Sequence, residues 1–349
     1  MKISLLLFAL LIISSNSFAQ DSTSKGKISG YMFSEFYYNA QRDTISNLPY
    51  RVYGGEEGLN GFQFKRIYFT YDYDISKKFT TRFRLEGTHT KQFQNSSVAV
   101  FIKDAYITWN NIFKGSSLTV GIQPTLAYTA TDKIWKRYVE RTIMDFNNVI
   151  DSRDFGISLN GNLDEKGKAS YGVMLGNNSG IDLTDNDRYK RIYGHLAFNP
   201  INTVYMTLFS DFRSQNAGRH EYTEALMVAY KKDNDVCFGV ETFWDRRKNF
   251  VDGPHVIENH DRYGVSVFSW KSFNDFFSVY GRFDYFKTNL ITANSSNTRN
   301  LYIFGLEFKP DVNVNISPNV AVETYEPFSN GETIKPSVTP RVSISYSFF

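Results

Sequence analysis

Few groups in this chain of 349 residues are spaced to make or break a bond. A serine nucleophile needs a histidine base and an orienting group. No G-x-S-x-G elbow occurs, and Ser329-Asn330-Gly331 has no histidine placed before it. The histidines, His89, His195, His220, His255 and His260, are scattered singly. There is no H-E-x-x-H pair and no EF-hand loop. Asp182, Asp185 and Asp187 share one polar stretch; three carboxylates there could hold a calcium ion, but a solvated acidic loop is the better account of them. The single cysteine, Cys237, excludes a disulfide framework and a multi-cysteine metal site. The expectation is a chain that is not an enzyme, with no cofactor and no metal.

What recurs is arginine among carboxylates. Arg66, Arg82, Arg84, Arg191, Arg213, Arg282 and Arg341 share the polar face of alternating segments with Glu35, Asp72, Glu86, Asp104, Asp211, Glu241, Asp284, Glu307 and Glu323. The guanidinium is a planar, always charged fork that suits phosphate or carboxylate better than an ammonium does. A second mixed set, Lys136, Arg137, Glu140, Arg141 and Asp145, falls within one long stretch, 124–153.

Composition limits what can hold these groups. Lys+Arg is 39 against 36 for Asp+Glu, a net charge of +3 with the signs interspersed, so no basic face for nucleic acid is expected. Aromatics reach 17% while mean hydropathy is −0.37, so either the apolar residues alternate with polar ones or the aromatics sit in belts. Lys2, the apolar run from Leu5 to Ile13 and the small-x-small Ser17-Phe18-Ala19 read in order as an export signal over residues 1–19, cleaved before Gln20. No later apolar run is long enough for a membrane-crossing helix.

From residue 20 to 349 the period is two. Val204, Met206, Leu208 and Phe212 oppose Thr207, Asp211 and Arg213; Phe277, Val279, Phe283 and Tyr285 oppose Ser278, Arg282 and Asp284. Sixteen such segments are predicted: 27–38, 62–74, 78–92, 98–109, 117–123, 154–162, 168–177, 187–198, 202–213, 221–231, 235–246, 260–271, 275–287, 299–309, 312–325 and 335–349. Short turn-like connections, rich in Asn, Asp, Gly, Pro and Ser, alternate with longer ones such as 39–61, 124–153 and 247–259. That ordering predicts a single all-β domain, a transmembrane antiparallel barrel of about sixteen strands. Tyr71, Tyr73, Trp109, Tyr230, Trp270, Phe286 and Phe308 near strand ends are its expected aromatic girdle. A barrel of this size encloses water, so the 124–153 connection, the third outer loop, is expected to fold inward, with a short helix over 132–141.

Val120-Gly121-Ile122-Gln123-Pro124, Glu140-Arg141 and Ser152-Arg153-Asp154-Phe155-Gly156-Ile157 resemble the conserved run of the phosphate-selective porin O/P family. Lys103-Asp104-Ala105-Tyr106-Ile107-Thr108-Trp109 resembles the same family's preceding strand, so the likeness spans about residues 98–160. The resemblance implies a 16-stranded outer-membrane channel, often a homotrimer in outer-membrane lipid, that carries anions past arginines and lysines. The expected function is then passive diffusion of small hydrophilic solutes or ions, with anion or phosphate preference possible for the class. Candidate pore-lining and constriction residues are Arg66, Arg82, Arg84, Lys136, Arg137, Glu140, Arg141 and Asp145. Two readings stand beside it: a closed barrel whose outer loops bind a ligand or a surface, and a barrel hydrolase.

Overall fold

The computed structural model describes residues 26–43, 56–92, 98–181, 185, 187–215, 218–252, 254–290, 297–328 and 330–348. The expected signal segment 1–19, Asp182, Ser329 and the terminal Phe349 lie outside these residues.

Every predicted segment is a strand. They are β1 (Gly26–Tyr38), β2 (Asn60–Asp74), β3 (Phe79–Gln92), β4 (Val98–Phe113), β5 (Ser116–Pro124), β6 (Arg153–Asn162), β7 (Ala169–Gly176) and β8 (Arg191–Phe198). β9 (Val204–Ser214), β10 (His220–Lys232), β11 (Val236–Asp252), β12 (His255–Ser272), β13 (Phe277–Thr288), β14 (Thr298–Asp311), β15 (Val314–Tyr325) and β16 (Ser337–Phe348) complete the set. Each pairs antiparallel with its neighbours in sequence, and β1 pairs with β16 from Gly30↔Phe348 to Tyr37↔Arg341, so the sheet closes into a barrel with no free edge.

The two faces are inverted relative to a water-soluble barrel. Ile67, Phe69, Leu208, Phe212, Phe304 and Leu306 stand exposed on the outer face. Their strand neighbours Thr70, Asp211 and Glu307 are buried inside. Apolar-out and polar-in with a period of two is the pattern of a barrel whose surroundings are lipid.

Four expectations need correction. Trp270 and Phe286 are not girdle residues: both are buried on the inner face, where they pack against the 124–153 connection. No single helix covers 132–141. Instead α1 (Thr131–Ile134) stops where Trp135 turns extended, and α2 (Ile143–Phe146) forms one further turn. Residues 247–259 are not a long loop, because the β11–β12 ladder continues to Asp252↔His255. Finally, strict alternation breaks at several register shifts, two of which bear on the polar face. The β1–β2 register steps from Phe33↔Arg66 to Ser34↔Phe64, and the β3–β4 register from Arg84↔Asp104 to Leu85↔Ile102. The residues skipped are Lys65 and Lys103, and each bulge turns a lysine inward beside the next polar residue.

Gly121 explains why β4 and β5 approach so closely. Its φ is +130°, and a Cβ there would lie 2.2 Å from the Ala105 carbonyl oxygen. Gly121→Ala is expected to cost about 2 kcal/mol or more. The check is the temperature at which the folded barrel loses its compact gel mobility; an unchanged temperature would show that β5 relaxes freely.

Candidate functional site

The long connection between β5 and β6 has its own apolar core. A 3-10 turn (Leu126–Tyr128), α1 and α2 are too short to hold themselves, so their burial must come from the wall. Ile134, Trp135, Tyr138, Val139 and Phe146 pack on Met227, Cys237, Phe268, Trp270, Tyr280, Leu301, Ile303 and Ala321. Leu126, Tyr128, Ile143, Met144, Val149 and Ile150 pack on Met174, Tyr193, Phe209, Phe243 and Phe286. These wall residues belong to β7–β15 and interrupt an otherwise polar inner face. Cys237 is one of them, a buried packing residue.

Polar ties fasten the same segment. Lys136 Nζ meets Glu307 Oε2 at 2.6 Å, and Tyr138 OH donates to Glu307 Oε1 at 2.7 Å. Arg341 Nη1 donates to Glu140 Oε2 at 3.1 Å, and Arg282 Nη1 to the Arg141 carbonyl at 2.5 Å. Arg299 donates to Asn147 Oδ1, and Arg262 to the Asn148 carbonyl at 3.3 Å. Burial alone would raise the Glu140 pKa, but Lys65, Arg341 and Arg141 outweigh it and hold the carboxyl at about 2. In Asp145, too, burial opposes ionisation, and Arg66, Arg141 and Arg137 overcome it to leave the pKa lowered.

A folded-state pKa below the ordinary 4.5 means that Glu140 stabilises the fold above pH 4.5 and loses that contribution as pH falls toward 2. Its size is up to about 3 kcal/mol. The stability gap between the native chain and Glu140→Gln is therefore expected to be full at neutral pH and to close only in acid below 4.5. Parallel acid melts of the two proteins check this, and a gap constant down to pH 2 would contradict it.

On the opposite side, β2–β4 present charge rather than apolar surface. Arg82 forms a two-pronged pair with Asp72, at 2.6 and 2.9 Å. Arg84 meets Asp104 at 3.2 Å, and Arg153 meets the same carboxylate. Arg66 lies between Glu86, at 3.6 Å, and Asp145 of the connection, at 3.7 Å. Lys103 pairs with Glu86 at 2.9 Å and Lys65 with Glu35 at 3.1 Å. From the connection, Arg137 reaches Asp132 at 2.7 Å and Asp145 at 3.5 Å, and Arg141 reaches Asp145 at 3.9 Å. Exposure on this side is mixed: the side chains of Arg82, Asp72 and Arg141 are 31%, 34% and 36% exposed, while Asp104 and Glu86, at 0% and 5%, are as buried as Arg341 and Glu140.

Of the residues singled out in the sequence, Arg66, Arg137, Arg141 and Asp145 come together, with Arg82 and Arg84 farther along the same wall. Lys136 and Glu140 do not join them; each is spent on an ion pair with the far wall, Glu307 and Arg341 respectively. Sequence reasoning missed Lys65 and Lys103 because of the bulges, and Arg262 and Arg299 because neither was placed on the polar face. Asp185 and Asp187, read as a solvated loop, pair with Lys190 at 2.6 Å and Arg213 at 3.3 Å.

No family model matches this sequence, and no curated protein matches it. Solved structures do, and the class they define is the outer-membrane porin barrel. The outer membrane channel DcaP of Acinetobacter baumannii aligns over 93% of this chain and 97% of its own, with TM-score 0.68 and 11% identity. The anion-selective porin from Comamonas acidovorans aligns over 93% and 100%, with TM-score 0.66 and 11% identity. The in-vitro folded trimer form of OmpT from Vibrio cholerae aligns over 93% and 99%, with TM-score 0.61 and 12% identity. At these identities the likeness is one of fold.

Proposed function

We propose that this chain is an outer-membrane channel for passive diffusion of small hydrophilic solutes, with a modest preference for anions. The 124–153 connection folds into the lumen and narrows it. The observation that carries this reading is the asymmetry of the connection: it packs by apolar side chains and buried ion pairs onto β7–β16, while toward β2–β4 its contacts are polar, Lys65 on the Val139 carbonyl and Arg66 on Asp145, and Arg141 stays 36% exposed. The aqueous route then runs between the connection and that wall. Cations outnumber carboxylates there: Arg66, Arg82, Arg84, Lys103, Arg137, Arg141 and Arg153 stand among Asp72, Glu86, Asp104, Asp132 and Asp145. Fixed charge at a constriction sets which ion passes. Because nearly every arginine is already paired, a weak anion preference fits better than a dedicated phosphate site. The apolar outer face supports insertion in the outer membrane, and the shared fold with a protein described in a trimer form supports a homotrimer.

Planar-bilayer recording of the refolded protein tests the reading. A KCl gradient should give open-channel steps with a reversal potential directed toward chloride. A folded barrel that passes no current would favour a closed barrel whose outer loops bind. A potassium-directed potential would make the carboxylates the filter.

A further inference from the structure

A cavity of about 620 Å³ lies on the inner face beneath the 124–153 connection, toward the short-turn end of β5–β10. Its roof is Thr129, Ala130, Lys133 and Ile134 of the connection. Its walls carry Asn160 and Asn162 of β6, Ser170 of β7, His195 of β8 and Lys231 of β10. Two features distinguish it from the rest of the lumen. First, no aspartate or glutamate lines it, in a barrel where inner-face cations otherwise stand beside carboxylates. Lys133 is exposed and makes no ion pair among the described residues, and the partner of Lys231 is Asp233, 3.0 Å away in the exposed turn and not in the lining. Second, its remaining polar groups are amides, hydroxyls and an imidazole, each able to donate and accept. His195 Nε2 and Thr129 Oγ1, 3.2 Å apart, tie the roof to the wall.

Two ammonium groups in a lining that holds no carboxylate, one unpaired among the described residues and one shared with an exposed turn aspartate, favour a negative charge. Amides and hydroxyls around them select a ligand with many hydroxyls rather than a bare ion. We propose that this cavity is a subsite for a small hydroxylated anion of monosaccharide size, a sugar acid or sugar phosphate, between the constriction and the short-turn mouth. The proposal deepens the channel reading and rests on it.

The test uses sodium gluconate as probe and glucose as the neutral control. In single-channel recordings in KCl, gluconate should interrupt the current in a concentration-dependent way, and glucose should not. Lys133→Gln with Lys231→Gln should raise the half-blocking gluconate concentration about tenfold, two ammonium contacts being removed from a wet site. Equal block in both proteins, or equal block by glucose, would overturn the proposal. Calorimetric titration of gluconate into the detergent-solubilised folded barrel keeps the two readings separate. Binding that the double variant loses, in a barrel that passes no KCl current, would sink the channel reading and keep the subsite. Current without gluconate binding would do the reverse.

Discussion

Glu307→Ala should both weaken the barrel and widen it. Glu307 is a buried carboxylate that receives two groups from the 124–153 connection, the Lys136 ammonium at 2.6 Å and the Tyr138 hydroxyl at 2.7 Å. Removing it strands a cation whose side chain is only 13% exposed. Breaking one member of a buried pair costs about 3–5 kcal/mol. The Lys136–Tyr138 stretch is then held only by the apolar contacts of Trp135 and Tyr138 with Phe268 and Tyr280 and by the ties farther along the connection, such as Glu140 to Arg341. The expected result is a lower unfolding temperature together with a larger and noisier single-channel conductance. Glu307→Leu with Lys136→Leu separates charge from attachment. Replacing a buried pair by apolar groups is close to neutral, so this double variant should recover stability and the narrow conductance. If Glu307→Ala melts early but conducts as the native chain does, the connection is a structural strap and the constriction lies elsewhere.

The strands were legible because two independent signals agree on them. In β9, Val204, Met206 and Leu208 fall on one face with Thr207 and Asp211 on the other, and Asn, Pro and Gly mark the turns. What stayed hidden depends on tertiary contacts that periodicity does not encode. Trp270 and Phe286 read as girdle rings because a ring near a strand end belongs there in an empty barrel. Here they face inward because the connection supplies the apolar cover, Trp270 against the Trp135–Tyr138 stretch and Phe286 against the Ile143–Ile150 stretch. Lys65 and Lys103 were out of phase because a bulge shifts the count by one. The candidate site was legible in part for the same reason: Arg82 and Arg84 follow from face phase, whereas the division of the connection into a sealed side and an open side does not. Lys136 and Glu140 look like Arg137 and Arg141 in the sequence, yet they tie down the sealed side.

On the channel reading proposed above, ion preference depends on the β2–β4 wall. Arg82→Gln with Arg84→Gln should shift the reversal potential toward potassium. Arg82 tolerates the change: it is 31% exposed, and its partner Asp72 is 34% exposed and stays solvated when left alone. Arg84 leaves Asp104 with Arg153, so that buried carboxylate keeps a cation. The loss is then mainly one of field. A unit charge about 8 Å from a passing ion in water is worth about 0.5 kcal/mol, so two together move the anion and the cation about 1 kcal/mol each in opposite directions and change the anion-to-cation permeability ratio about thirtyfold. The effect should fade in concentrated salt, where the screening length contracts to about 3 Å at 1 M. The matching pair on the sealed side, Arg282→Gln with Arg299→Gln, removes the same formal charge from groups buried against the connection. If conduction runs along β2–β4, that pair should alter stability far more than selectivity. Equal selectivity shifts from both pairs would mean that ions pass on both sides of the connection, and that it does not seal β7–β16.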